Sequence, residues 1–526
     1  MLFNSVEFIF FFLPIVVIGY AWIGKVGSNQ LQLIWLVIAS LFFYAWWRPP
    51  YLILLIISII FNYAIGKVLS REQTRPTRKF FLFLGITVNL LLLGYYKYAN
   101  FFVGTVNSLI GSSWTLDKII LPLGISFFTF QQIAYLVDVY REETKEHNFL
   151  KYSFFVSFFP LLIAGPIVHH QQILPQFSET PRSRFTAENI FIGLTIFFMG
   201  FLKKVIFADG IAAYSNPIFN AANQGISINF IEAWVGILAF TFQLYFDFSG
   251  YSDMAIGGAR LFGIKFPLNF NSPYQSVNII DFWRRWHITL SNFLKDYLYI
   301  PLGGNRKGEA QRNLNLMLTM LLGGLWHGAS WTFVLWGGLH GLYLVINQQW
   351  RSFRKKVLGH VLNQRSVLGD WLGRILMFLA VIVGWVFFRA ENLQSAKILL
   401  SGMIGLNGLS LPPFLSKYLK PLPALGIEFN GLMPHFEINP WYALSGITIL
   451  LGIIWFTPNT QVWMARYHPT LNEVETQTAS QQLPPFWKQL EWRPNLIYGM
   501  GVGILIFIGF KTFFEAAPSD FLYFKF

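Results

Sequence analysis

The feature that most constrains this sequence is a succession of long apolar segments separated by short polar ones. A transmembrane helix needs roughly 17–25 predominantly apolar residues to cross a hydrocarbon core about 30 Å thick. The segments that approach this length are 6–23, 31–47, 51–69, 80–97, 118–137, 150–168, 189–207, 231–247, 313–327, 331–350, 371–388, 441–457 and 494–512. Several are short or contain glycine and proline, so we expect some to tilt, re-enter or stop inside the bilayer. The sequence therefore predicts an all-α, polytopic integral membrane protein with about 11–13 membrane helices or re-entrant segments.

Composition excludes a water-soluble enzyme. Only 12% of the 526 residues are charged, against roughly 25% in soluble globular chains. Cysteine is absent, which excludes disulfides, thiolate metal sites and a cysteine acyl-enzyme. The formal net charge is +14, which the excess of Lys and Arg in cytoplasmic loops of membrane proteins explains more simply than nucleic-acid binding does. We expect no nucleic-acid partner.

Loop charges predict an orientation in the membrane. The apolar run 8–23 has no positive residues before it and no convincing cleavage site after it, which favours a retained helix over a signal peptide. The clearest basic loops are 71–79 and 351–356. If both are cytoplasmic, the start of the first helix, the Pro- and Gly-rich stretch 405–440 and the C-terminal tail face outward.

Two acidic residues occur at the predicted end of an apolar segment. The stretch 245–253 reads YFDFSGYSD, which predicts that Asp247 and Asp253 lie at a helix end. Acidic groups in or beside the bilayer are expensive and usually mark function. A helix terminus that orders a turn at the interface is the alternative, and the sequence leaves both interpretations open.

The stretch 278–296 predicts one amphipathic helix. Asn278 is a suitable N-cap, and Asp281 favours the first turn. The apolar face would carry Trp283, Trp286, Leu290, Phe293, Leu294 and Tyr297, and the polar face Arg284, Arg285, Ser291, Asn292, Lys295 and Asp296. This pattern is typical of a helix on the membrane surface. His287 lies toward the apolar side, where a structural role is the ordinary expectation for a lone histidine.

The segment 312–330 places another histidine deep in the bilayer. His327 follows Arg312 by 15 residues, which is roughly 22 Å of helix. Glycines at 323, 324 and 328 remove side-chain bulk around it. A histidine at such depth beside a helix break is a functional hypothesis by default, while a tight helix–helix contact is the alternative. His340 lacks a break beside it, which favours a structural or supporting role.

The sequence predicts no metal site. His169 and His170 are adjacent, so they do not share a face, and no His/Glu spacing in the chain resembles a zinc site. A Gly-x-Ser-x-Gly elbow, a P-loop and a dinucleotide fingerprint in a suitable context are also missing from the sequence.

Several of these segments together resemble the membrane-bound O-acyltransferase family, in its bacterial alginate O-acetyltransferase branch. The stretches that carry the resemblance are GISFFTFQ (124–131), DVYR (138–141), FPLLIAGPI (159–167), DFSGYSD (247–253), FWRRWHITL (282–290), YIPLGG (299–304) and WHGA (326–329). The chain ends, 1–5 and 521–526, also look like this branch. The resemblance covers nearly the whole chain, and its central block is highly specific.

The resemblance implies one membrane domain over 1–526, with helices around an intramembrane tunnel. The family core would be 118–350, with catalytic segments 278–304 and 312–330, and 351–526 would hold the C-terminal helices and loops. Such proteins transfer an acyl group from a thioester donor to a hydroxyl on a sugar, lipid or protein. The alginate branch passes acetyl groups outward, and an extracytoplasmic partner resembling an acetyltransferase or esterase is expected to complete the transfer to polysaccharide.

The resemblance also implies site residues. His327 matches the catalytic histidine, and His287 matches a second polar position that is Asn in many eukaryotic members. The candidate substrate-binding residues are Asp247, Asp253, Trp283, Arg284, Arg285, Trp286, Asn313, Trp326 and His340. A metal is not expected, and no cofactor is expected to be bound permanently, since acetyl-CoA or another acyl thioester is a donor substrate.

General chemistry is consistent with these roles. A hydroxyl that attacks a thioester must lose its proton, and neutral imidazole is the usual base near pH 7. The developing oxyanion needs a donor, which His287 or a backbone N–H can supply. The phosphates of acetyl-CoA would find a basic neighbourhood at Arg284, Arg285, Lys295, Arg306, Lys307 and Arg312. Anchoring to anionic lipid is the alternative for each of these cations.

The leading expectation is an O-acetyltransferase for an exported, alginate-like polysaccharide in a bacterial inner membrane. D-alanyl transfer to a cell-wall polymer is an alternative with the same fold. A polysaccharide-export channel without chemistry is an alternative of a different class. Transporters often contain two related halves with broken helices, and the sequence shows no such duplication.

The predicted orientation is testable because the chain has no cysteine. We expect Phe353→Cys to react with an impermeant maleimide only after permeabilisation, and Leu415→Cys to react in intact cells, since basic loops stay in the cytoplasm. Arg312 would then lie near the cytoplasmic interface. If residue 353 were labelled in intact cells and residue 415 were not, the protein would have the opposite orientation.

Overall fold

The structure is a computed structural model that describes residues 1–71, 74–117, 119–144, 148–163, 165–177, 185–359, 366–515 and 521–522. Its regular structure in these ranges is almost entirely helical. The strands described are one short parallel pair, Leu409–Ser410 with Ile427–Glu428. The prediction of an all-α, polytopic membrane protein is confirmed.

Seven helices in the described part of the chain are long and apolar enough to cross a membrane. They are Glu7–Lys25, Pro49–Arg71, Arg75–Ile110, Ala187–Asn223, Phe230–Arg260, Val367–Arg389 and Leu496–Glu515. Two shorter apolar helices are Asn29–Ala45 and Pro440–Phe456. These helices make the chain a multi-pass membrane protein.

The described residues form two compact units. The first comprises Met1–Phe201, Gly250–Asn269 and Asn459–Ile508, and the second comprises Leu202–Ser249, Phe270–Pro458 and Gly509–Phe526. The helix Phe230–Arg260 contributes residues to both. Each unit has its own buried core of aliphatic and aromatic side chains.

The first unit contains most of the N-terminal helices. Its helices are Glu7–Phe12 (π), Leu13–Val26, Asn29–Ala45, Pro49–Arg71, Arg75–Leu93, Gly94–Tyr98 (π), Ala99–Ile110, Ile125–Tyr140, Phe149–Ser157, Phe159–Leu162, His170–Ile173, Leu174–Phe177 (3₁₀), Ala187–Leu202, Thr460–Trp463, Ala465–Tyr467 (3₁₀), Glu473–Gln481 and Pro485–Gln489. Side-chain caps begin several of them. Ser28 accepts from the backbone N–H of Leu31 at 3.2 Å, and Asn148 accepts from that of Lys151 at 3.1 Å. Such caps satisfy backbone donors that have no partner within the helix.

The second unit holds the central and most of the later helices. They are Lys203–Ala208 (π), Asp209–Asn223, Pro273–Gln275 (3₁₀), Ile279–Arg285, Ile288–Leu294, Lys295–Tyr299 (π), Gly308–His327, Trp331–Lys356, Val367–Arg389, Leu393–Met403, Pro413–Lys417 (3₁₀), Leu422–Leu425 (3₁₀) and Pro440–Phe456. The helix Leu496–Glu515 contributes residues to both units, with Ile508 the last in the first and Gly509 the first in the second. Ser330, Ser366, Asn392 and Asn439 cap their helices with side-chain oxygens.

Several predicted segments differ from the observed helices, among them 150–168 and 231–247. The segment 150–168 does not form one helix, because a first helix ends at Ser157 and a second one, Phe159–Leu162, has Pro160 at its start. Proline has no N–H to continue the first helix. The segment 231–247 does not end where predicted either, since its helix continues to Arg260. Asp247 and Asp253 therefore lie inside a helix, and the prediction that they mark its end is wrong.

The predicted helix over 278–296 is also divided. Asn278 caps the first piece as expected, accepting from the N–H of Asp281 at 3.0 Å. That piece ends at Arg285, and Ile288 starts the next. Between them His287 has φ 42° and ψ 54°, a left-handed conformation that non-glycine residues rarely adopt. The prediction of one continuous amphipathic helix is wrong because the chain turns at His287.

A helical hairpin in the second unit is packed at backbone distance. Its arms are Gly308–His327 and Trp331–Lys356, joined by the break at 328–330 that the sequence predicts. A Cβ atom on Gly324 would lie 2.3 Å from the carbonyl oxygen of Phe333, and one on Gly337 would lie 2.2 Å from that of Met320. Side chains are thus excluded from this contact on both arms.

Gly337→Ala should destabilise the protein, because the new methyl group would overlap a backbone oxygen that cannot rotate away. Overpacking of this kind costs typically about 1–3 kcal/mol. The measurement is the unfolding temperature of the purified protein in detergent. Gly338→Ala is the matched control, since its Cβ would meet only the flexible side chain of Leu321 at 3.3 Å. Equal unfolding temperatures for the two variants would contradict the backbone contact.

Candidate active site

His327 occupies the last position of the Gly308–His327 helix and is 4% exposed. Gly328 follows in an extended conformation, and Ser330 caps the next helix by accepting from the N–H of Thr332 at 3.3 Å. The break predicted beside His327 is therefore present. Three rings surround the imidazole, with centroids 5.0 Å (Trp326), 5.1 Å (Trp336) and 5.4 Å (Phe388) from its own.

His287 is fully buried at the turn between the two short helices. The Phe248 ring packs edge-on against its imidazole at 4.7 Å, and Phe270 lies 6.3 Å away. Burial lowers the pKa of the His287 imidazole to about 3, since an apolar surrounding disfavours the charged form. His287 is thus a neutral imidazole at ordinary pH.

The structure brings the two histidines of the resemblance together. Their ring centroids are 6.4 Å apart although 40 residues separate them in the chain. At this separation one substrate oxygen or carbonyl group can approach a nitrogen of each ring. A base must come within about 2.6–3.2 Å of the proton it removes, and the pair is close enough to act on one reacting centre.

An aromatic wall lies beside the pair in the same unit. Trp326 is 6.3 Å from His287 as well as adjacent to His327. Trp283 packs on His340 at 5.3 Å, and His340 packs on Trp336 at 4.8 Å. Trp286 contacts Trp385 at 5.0 Å. Of the predicted substrate-binding residues, Trp326 contacts both histidines, whereas Trp283 and His340 pack on Trp336, which contacts His327.

Asp247 is part of a buried ion pair. It is 1% exposed, and its carboxylate lies 2.7 Å from the Lys204 ammonium, which is also 2.7 Å from Asp209. The backbone N–H of Leu522 donates to its second oxygen at 3.0 Å. The residue after Asp247 is Phe248, which packs on His287. Asp247 therefore lies close to the site, but its oxygens are occupied by partners from the protein.

Asp253 belongs to the first unit. It is 4% exposed and accepts hydrogen bonds from the side chains of Thr460 (2.9 Å) and Gln461. These bonds tie the Thr460–Trp463 helix to the helix Phe230–Arg260. Both carboxylate oxygens of Asp253 thus accept hydrogen bonds from residues of the same unit.

The predicted cations and Asn313 differ in their exposure and in their hydrogen-bond partners. Arg284 is exposed, and Arg285 donates to Asp281 at 3.0 Å one helical turn earlier. Asn313 precedes His327 by 14 residues on the same helix, which is roughly 21 Å, and accepts from Arg312 at 3.4 Å. Lys295, Arg306 and Lys307 are exposed, as both the donor and the lipid interpretations require.

Sequence reasoning missed several residues that shape the site. Trp336 contacts both His327 and His340, and Phe388 closes the side of His327 from another helix. Away from the histidine pair, roughly 18 Å of helix before His327, Asn315 rather than Asn313 is fully buried and donates to the carbonyl of Gly304 at 2.9 Å. Lys204 was also missed, because it lies within the apolar segment 189–207. Its charge inside a predicted membrane segment was the available signal.

The adjacent histidines 169 and 170 lie in the first unit near a buried carboxylate. Asp138 is 3.5 Å from His170 and 3.9 Å from His169. No group of three or more His, Cys, Asp or Glu side chains in the described ranges has the arrangement needed to hold a metal ion.

Comparison with known proteins assigns the family. Residues 82–385 match the family model described as MBOAT, the membrane-bound O-acyltransferase family. A peptidoglycan O-acetyltransferase of Helicobacter pylori is 46% identical over 437 residues, which is 78% of this chain and 81% of that protein. A protein of Pseudomonas aeruginosa named "probable alginate O-acetylase AlgI" is 46% identical over 403 residues, 75% of this chain and 73% of that protein.

A more distant group of relatives carries a different name. A teichoic acid D-alanyltransferase of Bacillus subtilis is 27% identical over 280 residues, which is 51% of this chain and 69% of that protein. The helical membrane fold and the family match together define a membrane-embedded acyltransferase. The chain belongs to the membrane-bound O-acyltransferase family, and it is an O-acyltransferase.

Proposed function

We propose that this protein transfers an acetyl group from a thioester donor at the cytoplasmic face to a hydroxyl of an exported polysaccharide. The observation that carries the proposal is the buried pair of His287 and His327, with ring centroids 6.4 Å apart, in a chain whose relatives at 46% identity are named for O-acetyl transfer. A histidine pair of this kind provides a base and a hydrogen-bond donor at one point.

His327 acts as the general base in this proposal. Its imidazole removes the proton of the attacking hydroxyl as the new C–O bond forms at the thioester carbonyl. The C–S bond then breaks, and the imidazolium returns the proton to the departing thiolate. The rings of Trp326, Trp336 and Phe388 surround His327 and exclude water that would hydrolyse the donor.

His287 donates a hydrogen bond to the carbonyl oxygen as negative charge develops there. A neutral imidazole has one N–H donor, and burial keeps His287 neutral. Donors aimed at a developing oxyanion in a dry site are worth far more than the same donors in water.

The sidedness of the reaction follows from the predicted orientation. Arg312 near the cytoplasmic interface puts His327 roughly 22 Å along the helix toward the outside. A donor such as acetyl-CoA, entering from the cytoplasm, and an acceptor entering from outside can then meet without either crossing the membrane. The protein would reside in a bacterial inner membrane, where an extracytoplasmic partner resembling an acetyltransferase or esterase completes transfer to an alginate-like polymer.

The second candidate function is D-alanyl transfer to a cell-wall polymer. Relatives named teichoic acid D-alanyltransferase favour it, at 27–29% identity over about half of this chain. The relatives named for O-acetyl transfer are more similar and match about three quarters of the chain, so acetyl transfer is the better supported function. The family match favours either enzyme over a non-catalytic export channel.

His327→Ala should abolish acyl transfer without unfolding the protein, because it removes the base and leaves the surrounding aromatic packing in place. The measurement is mass spectrometry of the secreted polymer from a strain whose own copy is replaced by the variant. Gel filtration of the variant in detergent, beside wild type, controls for folding. Normal acetylation by a variant expressed at the wild-type level would refute the assignment of the base.

His287 can be tested with three substitutions that separate its hydrogen bond from its backbone. Asn keeps a donor and tolerates positive φ, Gly tolerates positive φ without a donor, and Ala lacks both advantages. We expect Asn to retain the most turnover and Gly to lose roughly 10²–10³-fold, as when one oxyanion donor is removed. Ala should be at least as impaired as Gly.

The same acetylation measurement decides between the roles of His287. If Asn, Gly and Ala are equally impaired, a donor role is wrong and the imidazole is needed for packing. If Gly is as active as Asn, only the backbone conformation matters.

A further inference from the structure

The indole of Trp336 is a buried donor without an acceptor. Its side chain is 1% exposed, and Nε1 donates to no atom among the residues that the structure describes. Leaving a buried polar group unpaired is destabilising, and most such groups in proteins have a partner. A donor of this kind beside a reactive histidine indicates an acceptor that arrives with the substrate.

The neighbouring Trp385 shows that this part of the unit can satisfy a buried indole. Trp385 stacks on Trp336 with centroids 5.9 Å apart. Its Nε1 donates to the hydroxyl of Tyr274 at 3.1 Å, and that hydroxyl donates to the carbonyl of Thr241 at 3.1 Å. Within the described ranges, the indole of Trp385 therefore has an acceptor and the indole of Trp336, stacked on it, has none.

Trp336 is also held firmly against His327. The two rings meet at 86° with centroids 5.1 Å apart. Trp336 precedes Gly337, whose close contact with Met320 fixes the spacing of the two helices. His340 lies one turn later on the same helix, and neither of its ring nitrogens has a hydrogen-bond partner in the described ranges. Trp336 Nε1 and both ring nitrogens of His340 are thus unpaired in the described ranges, on the helix whose Trp336 contacts His327.

We propose that Nε1–H of Trp336 donates a hydrogen bond to the carbonyl oxygen of the acyl thioester during transfer, as a second oxyanion donor beside His287. This inference rests on the proposed function. As the acceptor oxygen bonds to the carbonyl carbon, the C=O electron pair moves to oxygen, and the indole N–H stabilises that charge. When the carbonyl re-forms, the C–S bond breaks and the thiolate takes the proton held by His327. The indole keeps its proton throughout.

Trp336→Phe removes the N–H and keeps an aromatic ring. Replacement of Trp336 by β-(3-benzothienyl)alanine removes it while keeping the shape of the indole. Trp385→Phe is the matched control, because it removes an indole N–H from the same stack whose acceptor is Tyr274. The assay uses inverted membrane vesicles given radiolabelled acetyl-CoA, with the acetyl ester content of the polymer in intact cells as a measurement that does not depend on donor identity.

We expect both replacements at position 336 to lower kcat by roughly 10²–10³-fold, the typical loss of one oxyanion donor, with KM for acetyl-CoA little changed. Trp385→Phe should stay close to wild type. The inference is wrong if the benzothienyl variant keeps wild-type turnover, which is also the result expected if ordered water pairs the indole. It is equally wrong if the replacements at 336 and 385 lose the same amount, since that indicates packing alone.

The proposed function fails in a distinguishable way. Acetyl transfer by this site is refuted if the wild-type protein shows no acetyl transfer, or if His327→Ala is fully active in the same cells. Neither result depends on the tryptophan variants. If wild type acetylates normally and the Trp336 variants have the same activity as wild type, only the role of the indole is refuted.

Discussion

The site depends on the close approach of two helices at Gly324 and Gly337. At this contact a Cβ atom on either residue would overlap a backbone oxygen of the facing helix. His327 follows Gly324 by three residues, and Trp336 immediately precedes Gly337. The backbone contact therefore sets the position of His327 relative to Trp336. The rings of His327 and Trp336 have centroids 5.1 Å apart. Contacts between side chains would define this distance less closely, because side chains can change rotamer.

The second constraint is the turn at His287. A left-handed conformation in a non-glycine residue costs of order 1–3 kcal/mol and persists only when the surroundings determine it. Here contacts with distant residues hold the end of the helix before His287 and the imidazole itself. The carbonyl of Arg285 accepts from the N–H of Asn271 at 2.9 Å, and Phe248 packs on the imidazole. A continuous helix would carry the ring along its axis, whereas the turn places it against His327.

The helix break beside His327 can be predicted from the sequence, whereas the place of His287 beside it is implied only by the resemblance. Glycines around His327 indicate a helix break by their own conformational preference, and that break is present. His287 sits in a stretch whose apolar spacing is helical on both sides, so local pattern predicts a helix through it. The turn arises from contacts with residues far away in the chain, which spacing does not reveal. Trp336 was also missed, because no sequence motif marks it. It is distinguished by an indole N–H without a partner in the described ranges, which only the structure reveals.

The two buried aspartates show what burial alone can say about function. An acidic residue inside a membrane segment is a functional candidate because its charge is expensive there. Asp247 is matched by Lys204 and by a backbone N–H, and Asp253 by Thr460 and Gln461. These partners offset the cost of burying the two carboxylates. Removing a partner would be destabilising, because it would leave a buried charge uncompensated. Trp336 and His340 carry polar atoms that the described protein does not pair. In a membrane interior a polar group paired by the protein supports the structure, and one left unpaired beside a reactive histidine is available to substrate.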